Sequence, residues 1–458
     1  MKIKLLALCI ILSITLSGCS KDESIDVLST TVSQIDMKSN GHKEQLADYN
    51  SPYTICYENN DNTYSMYIFA SPIQYLTDEG EYAIIDNTVI ESSKEGFVFE
   101  NKANSIKTYF PKTLSEPFLI EKDDNYMEFK PDWNIYEFSV AEQTIFTNMY
   151  GDKVSAVIYS TESMDLVFYP TKAGIKTEFV LKEKPESNVF SFSVKSSASS
   201  HEDKQNGYIL FKEGGDIESI IYQPLVHYTA DDNQKLDVTA QMNIERKEDE
   251  YNVTIEIDES IIGNANSKNH VKLDPSFEMY LNKMPDSTVY SKHDVNNYLA
   301  NYAVVGEHPV FGEGWHYLRL RLRWFMTIKS NHLLEAKYCI KILDGFECVN
   351  GLNLNKPLEQ WTSTQLDWNS KPDIKKTLGN VHVNNDICII DLKYFVQDCF
   401  SDKTSIMESK GIIFTEDKSE EYITLATYDN SLYSPFFMLK LEKLPIDFFS
   451  KTNINPQD

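Results

Sequence analysis

The sequence is poor in turn-formers, in basic residues and in recognisable catalytic motifs. Its 458 residues include only 17 glycines and 16 prolines, against 27 tyrosines and 24 phenylalanines. A chain with 12% aromatic residues can build real cores, which excludes global disorder. Lysine and arginine total 43 against 69 acidic residues, a formal charge of -26. A polyanion of this size is repelled by nucleic acid and by anionic membrane surfaces, so both are excluded as partners. The acidic residues are spread along the chain, as on a well-solvated surface. The nine histidines show neither HxH nor HExxH spacing and the seven cysteines form no CxxC pair, so no metal site is indicated. There is no GxSxG elbow and no P-loop, and Gly306, Gly312 and Gly314 do not compose a GxGxxG turn. Carboxylate abundance is no evidence for a glycosidase, because some pair lies at the required distance in any fold this acidic. No repeat of 20–50 residues is present, which excludes a solenoid or propeller. The chain therefore reads as a non-enzyme with no cofactor.

One long apolar run is present, Leu5 to Leu16, preceded by Lys2 and Lys4 and followed by small residues leading to Cys19. This is the layout of an export signal, and about a dozen apolar residues cannot span a bilayer. Ser13, Thr15 and Ser17 within the run, with Lys21 and Asp22 just beyond, also disfavour a retained membrane helix. The tetrad Leu16-Ser17-Gly18-Cys19 resembles the lipobox of bacterial lipoproteins. That resemblance implies a signal peptide at residues 1–18 and lipidation of Cys19 as the first mature residue, with a plain secretory signal as the alternative. It also implies attachment to the cell membrane on its extracellular face, since two acyl chains anchor stably where one does not. Loss of Lys2 and Lys4 takes the mature charge to -28. Residues 19–50 are polar and aperiodic and read as a flexible tether.

Beyond the tether, alternation with period two dominates. It runs through Gly96–Phe99, Asp165–Tyr169, Thr177–Leu181, Val189–Val194, Tyr251–Ile257 and Tyr317–Arg323. Each predicts a half-buried antiparallel strand with one polar face. Asp78-Glu79-Gly80, Gly214-Gly215-Asp216, Asp231-Asp232-Asn233 and Asp344-Gly345 punctuate these strands as turns. Asp391 to Phe400 is the best helix candidate, with Leu392, Phe395, Val396 and Phe400 on one face. The expectation is an all-β protein: an N-terminal β-sandwich-like region over residues 51–278, of one or two sub-domains, then a C-terminal jelly-roll β-sandwich over 279–445 and a short tail at 446–458.

Outside the signal and Cys19, the remaining cysteines are Cys56, Cys339, Cys348, Cys388 and Cys399. Cys388 lies in an apolar run and reads as a buried, inert thiol. Cys339 and Cys348 lie in neighbouring segments and are the one candidate pair; the sequence leaves the pairing of all five open.

Several strings, in order, resemble the N-terminal region and DNRLRE domain of wall-associated YD-repeat (Rhs-type) surface proteins. Val271-Lys272-Leu273-Asp274-Pro275-Ser276-Phe277 is similar to the hinge that joins the two regions. Upstream, Ser71–Tyr75 with Gly80–Asn87, Glu100–Ser105 and Gly174–Pro185 match that family's N-terminal strings. Downstream, Trp361 to Pro372 resembles its most specific motif, and Ile390–Phe400 and Ser434–Lys440 match later strings. The resemblance covers roughly residues 50–445 and implies an extracellular, Gram-positive wall-associated module related to carbohydrate-binding jelly rolls. Two departures stand out: no YD repeats or toxin tip follow, and one strand is altered to Tyr317-Leu318-Arg319-Leu320-Arg321-Leu322-Arg323.

Trp361, Trp368, Asn369 and Pro372 of the motif read as packing residues in preference to a sugar platform. Trp315, flanked by Gly312, Gly314 and His316, is a candidate for an exposed platform as much as for packing. Arg319, Arg321 and Arg323 share one strand face. They suit forked hydrogen bonds to an acidic sugar or carboxylate, or cross-strand pairing with Asp and Glu. Acidic loops at Tyr57–Asp61 and Asp231–Asn233 match no EF-hand and read as solvated turns, so calcium is unsupported by motif. The expected function is a cell-surface binding module for a glycan or other surface polymer. The alternatives are a structural partner of larger wall-associated proteins, or a polysaccharide lyase or hydrolase.

Overall fold

A computed structural model describes residues 41–444, except 133–137, 150–151, 204–206, 213, 230–234, 267–269, 282–285, 293–299, 301, 319–329, 346–350, 363–364, 380, 385, 402–410, 417–420, 429 and 431. The protein is all-β, as the alternation predicts: among the described residues antiparallel strands account for nearly all regular structure, with two short α-helices and two single 3-10 turns. Cys19 and most of the expected tether lie outside the described residues. Among the described residues no helix is long and apolar enough to cross a membrane.

Two antiparallel sheets enclose the first core. One runs in the order Gln241–Lys247, Glu250–Glu256, Val189–Ser196, Asn125–Pro131, Phe118–Lys122, Lys107–Pro111, Phe97–Ala103 and Asp86–Glu91. The facing sheet is centred on Met164–Pro170, Gly174–Leu181, Ser276–Met279 and Ile217–Tyr222. Inward-facing rings from the two sheets stack on each other: Phe118 on Phe168 and Phe129 on Phe277, each at 4.1 Å. Such contacts add to the large apolar area that aromatic rings bury.

Gly174–Leu181 departs from the half-buried expectation, because every residue in it is buried. Its polar side is sealed by ion pairing. Lys176 meets Asp274 at 2.9 Å, while the Glu178 carboxylate accepts from the Tyr169 hydroxyl and the Met149 N–H. The string 271–277 thus lies inside this sandwich. Val271–Leu273 and Ser276–Met279 both pair with Gly174–Leu181, and the Pro275 carbonyl accepts from both the N–H and the hydroxyl of Thr177.

The second core lies between residues 56–70 and 303–441. One sheet has the order His42–Gln45, Thr54–Asn59, Tyr64–Phe69, Phe436–Leu441, Leu333–Asp344, Ile387–Asp391 and Val381–Asn384. Facing it are Tyr302–His308, Gly312–Leu318, Asp286–Tyr290, Ile412–Glu416, Tyr422–Ala426 and Leu352–Pro357. The 12-residue strand Leu333–Asp344 pairs into both sheets. Residues 54–69, which the sequence groups with the N-terminal region, pair here instead: Tyr64 to Phe69 align with Leu441 to Phe436 along their whole length. The first sandwich is therefore inserted between two parts of the second.

The two bodies touch. Leu225 packs with Tyr290, Tyr302 and Tyr433, Lys341 lies 3.7 Å from Asp152, and the Lys172 ammonium donates to the Ser71 hydroxyl.

The predicted helix is present as Lys393–Ser401. It is capped by Asp391, whose side chain accepts from the Lys393 N–H, and it buries Phe395 and Val396 next to Leu392, which precedes it. Gly306 sits opposite Gly314 in the hairpin of Tyr302–His308 with Gly312–Leu318. A Cβ at Gly314 would lie 2.2 Å from the Val304 carbonyl, so close backbone approach, not nucleotide binding, explains these glycines.

Candidate functional site

In strand Gly312–Leu318, His316 and Leu318 point into the core while Trp315 and Tyr317 point out. Trp315 lies opposite Val289, and Tyr317 opposite Ile413, on the two neighbouring strands. Residues 358–362 and 365–373 lie over this outer face. Trp361 is 5% exposed, with its ring 5.5 Å from that of Tyr317, and Leu366 is buried beside it. The Tyr317 hydroxyl donates to the Pro372 carbonyl at 3.1 Å. Asp367 folds the turn between them by accepting the Asn369 and Ser370 N–H groups, and the Ser370 bond is the main reason its carboxyl titrates below the usual range. Trp361 thus packs over Tyr317, Asn369 gives its N–H to the turn and Pro372 its carbonyl to the Tyr317 hydroxyl.

Trp368 differs. It is half-buried and meets half-buried Trp315 with ring centres 5.5 Å apart at 64°. The Lys371 ammonium lies 3.9 Å from the Trp368 ring centre and 4.5 Å from that of Trp315, within cation–π range of both. The Trp315 indole N–H donates to Glu313 at 2.9 Å, which fixes the ring. Among the described residues Lys371 pairs with no carboxylate. Arg319, Arg321 and Arg323 lie outside the described residues, as does the acidic loop Asp231–Asn233.

A second feature lies on the other sheet's outer face. Register places His42 opposite Asn59, Ser65 and Tyr67 opposite Lys440 and Met438, and Lys440 and Met438 opposite Glu335 and Lys337. This row lines an open cavity of about 400 Å³. His42 stacks on Tyr57 at 4.5 Å, and its two ring nitrogens hydrogen-bond Asn59 Oδ1 and the Tyr67 hydroxyl at 2.6 and 3.1 Å. Lys440 binds Asp61 at 2.8 Å and holds its carboxyl below the ordinary carboxylate range; Lys337 binds Glu335 at 2.7 Å. Of this site the sequence singles out only the acidic loop Tyr57–Asp61, and as a solvated turn, because the other residues come from segments nearly 400 positions apart. Among the described residues no group of three His, Cys, Asp or Glu side chains is placed to hold a metal.

Cys56, Cys339 and Cys388 are buried free thiols; Cys348, the other half of the candidate pair with Cys339, lies outside the described residues. Cys339 points into an apolar cluster with Phe436 and Ile387.

No family model matches the chain, and no curated protein matches it. Among solved structures, the N-terminal domain of the Streptococcus gordonii adhesin Sgo0707 aligns over 78% of this chain and 93% of its own, at 8% identity and a TM-score of 0.14.

Proposed function

We propose that this is a non-enzymatic surface lipoprotein, anchored through Cys19, whose second sandwich binds an acidic glycan at Trp315, Trp368 and Lys371. The observation that carries the reading is the Lys371 ammonium, unpaired with any described carboxylate and held against two half-exposed indoles. Indole faces suit the C–H groups of a pyranose ring, and the ammonium suits a sugar carboxylate. The surface is pre-organised, because Glu313 orients Trp315 and the Asp367 turn carries Trp368 and Lys371. The lipobox and the ordered family resemblances support an extracellular setting.

Intrinsic tryptophan fluorescence of the chain from Ser20 onward, titrated with uronate-rich and neutral polysaccharides, tests the ligand. Saturable quenching by the uronate polymer, lost in Trp315→Ala and in Lys371→Ala, is expected. Equal response to neutral polymers, or binding untouched by both variants, would sink the proposal. Radiolabelled-palmitate incorporation tests the anchor: Cys19→Ala should abolish labelling and release the protein to the medium.

A further inference from the structure

The cavity beside His42 has the build of a ligand site of a different kind. Its volume of about 400 Å³ lies within the range of small-molecule pockets and exceeds what one sugar ring fills. Four charged side chains line it, and they cancel: Asp61 and Glu335 against Lys440 and Lys337. The charged rim is solvent-accessible, with Asp61 54%, Glu335 44%, Lys337 36% and Lys440 32% exposed. Tyr67 and Met438 supply apolar surface between the pairs, and the His42–Asn59–Ser65 hydrogen bonds fix the polar wall.

We propose that this cavity binds a neutral sugar unit through adjacent hydroxyl groups. An ammonium has three N–H donors and an ionised carboxylate about four acceptor sites. Each salt bridge uses one of each, and Asp61 also accepts the N–H and hydroxyl of Thr63, which leaves it about one acceptor site while Glu335, Lys337 and Lys440 keep more. A vicinal diol matches that pattern: one hydroxyl donates to the carboxylate while its neighbour accepts from the ammonium, and the ion pair stays intact. An anion would approach Asp61 and Glu335, and a cation would approach Lys337 and Lys440; each meets like charge beside its partner. An apolar ligand would strip water from four charged groups without replacing it. The site is independent of the Trp315 surface, which lies on the other sheet and binds by a different chemistry.

Isothermal titration of the chain from Ser20 onward tests this with a panel of neutral hexoses and their disaccharides, with glycine, sulfate and choline as zwitterionic, anionic and cationic probes. At least one neutral sugar should bind saturably, with an affinity that is the same at low and high salt. Asp61→Asn, at an exposed position, and Lys337→Met, at a half-buried one, should each weaken it about ten-fold, the loss of one hydrogen bond to a charged group. Trp315→Ala should leave it unchanged, which separates this site from the proposed acidic-glycan surface. Unaltered melting temperatures of the variants establish that the fold is retained. No binding by any neutral sugar, preference for a charged probe, or affinity unaffected by both cavity variants would overturn the proposal.

Discussion

Lys176 and Asp274 form an ion pair 2.9 Å apart with each side chain only 3% exposed. The pair joins strand Gly174–Leu181 to the Val271–Phe277 string, and Asp274 also accepts the Leu225 N–H at 2.7 Å. Its placement makes that string part of the first sandwich's interior rather than a solvent-exposed linker.

Removing one partner strands a buried charge. Asp274→Ala should therefore cost about 3–5 kcal/mol, whereas the double replacement Lys176→Met/Asp274→Leu should cost less than the single one. Urea unfolding followed by near-UV circular dichroism checks this. A double variant no more stable than Asp274→Ala would show that the charges are not the controlling term.

The motif tryptophans should separate by role. Trp361, buried over Tyr317, should lose about 3–5 kcal/mol on truncation to alanine. Half-exposed Trp315 should lose only about 1 kcal/mol while giving up the ligand response. Thermal melts paired with fluorescence titration distinguish the two; equal destabilisation would make Trp315 a packing residue.

His316 makes stability depend on acidity. It is fully buried against Phe414, its Nδ1 hydrogen-bonds the Thr288 hydroxyl, and burial pushes its pKa down to about 3 from 6.5. Between these values the unfolded chain binds a proton that the folded chain excludes, so stability is present above pH 6.5 and drains away as pH falls toward 3. The contribution reaches about 1.4 kcal/mol per pH unit. Denaturation midpoints across that window should fall less steeply in His316→Gln than in the native chain; parallel slopes would refute the assignment.

Cys56 and Cys339 are pushed up to about 12 by burial, and Cys388 is raised by the same cause. None should react with iodoacetamide at neutral pH in the folded protein, and all three should react in urea. Peptide mapping after alkylation reads this directly, and native-state labelling at Cys339 would contradict its burial.

The site was legible in the sequence only in part. Trp315 stands out because glycines flank it on a strand, and Trp361 and Pro372 because aromatic and proline residues recur beside Leu366. Lys371 carries no such signal: a lysine before a proline looks like any exposed charge until residues 365–373 fold over the sheet and seat it on two rings. The polar side of Gly174–Leu181 misled for the opposite reason, since Lys176 and Glu178 are buried by partners distant in sequence.

Side-chain period was enough to determine that this chain builds β-sandwiches, since a strand's alternation records which residues share a face. The helix at Lys393–Ser401 was equally determined, by its apolar spacing and the Asp391 cap. Only tertiary structure decided which strands meet. Alternation is the same whatever the neighbour, so nothing local says that Tyr64–Phe69 pairs with Phe436–Leu441 across an inserted sandwich. That long-range register brings His42, Asp61, Lys337 and Lys440 to one cavity, because hydrogen-bonded strands place opposite residues side by side regardless of their separation along the chain.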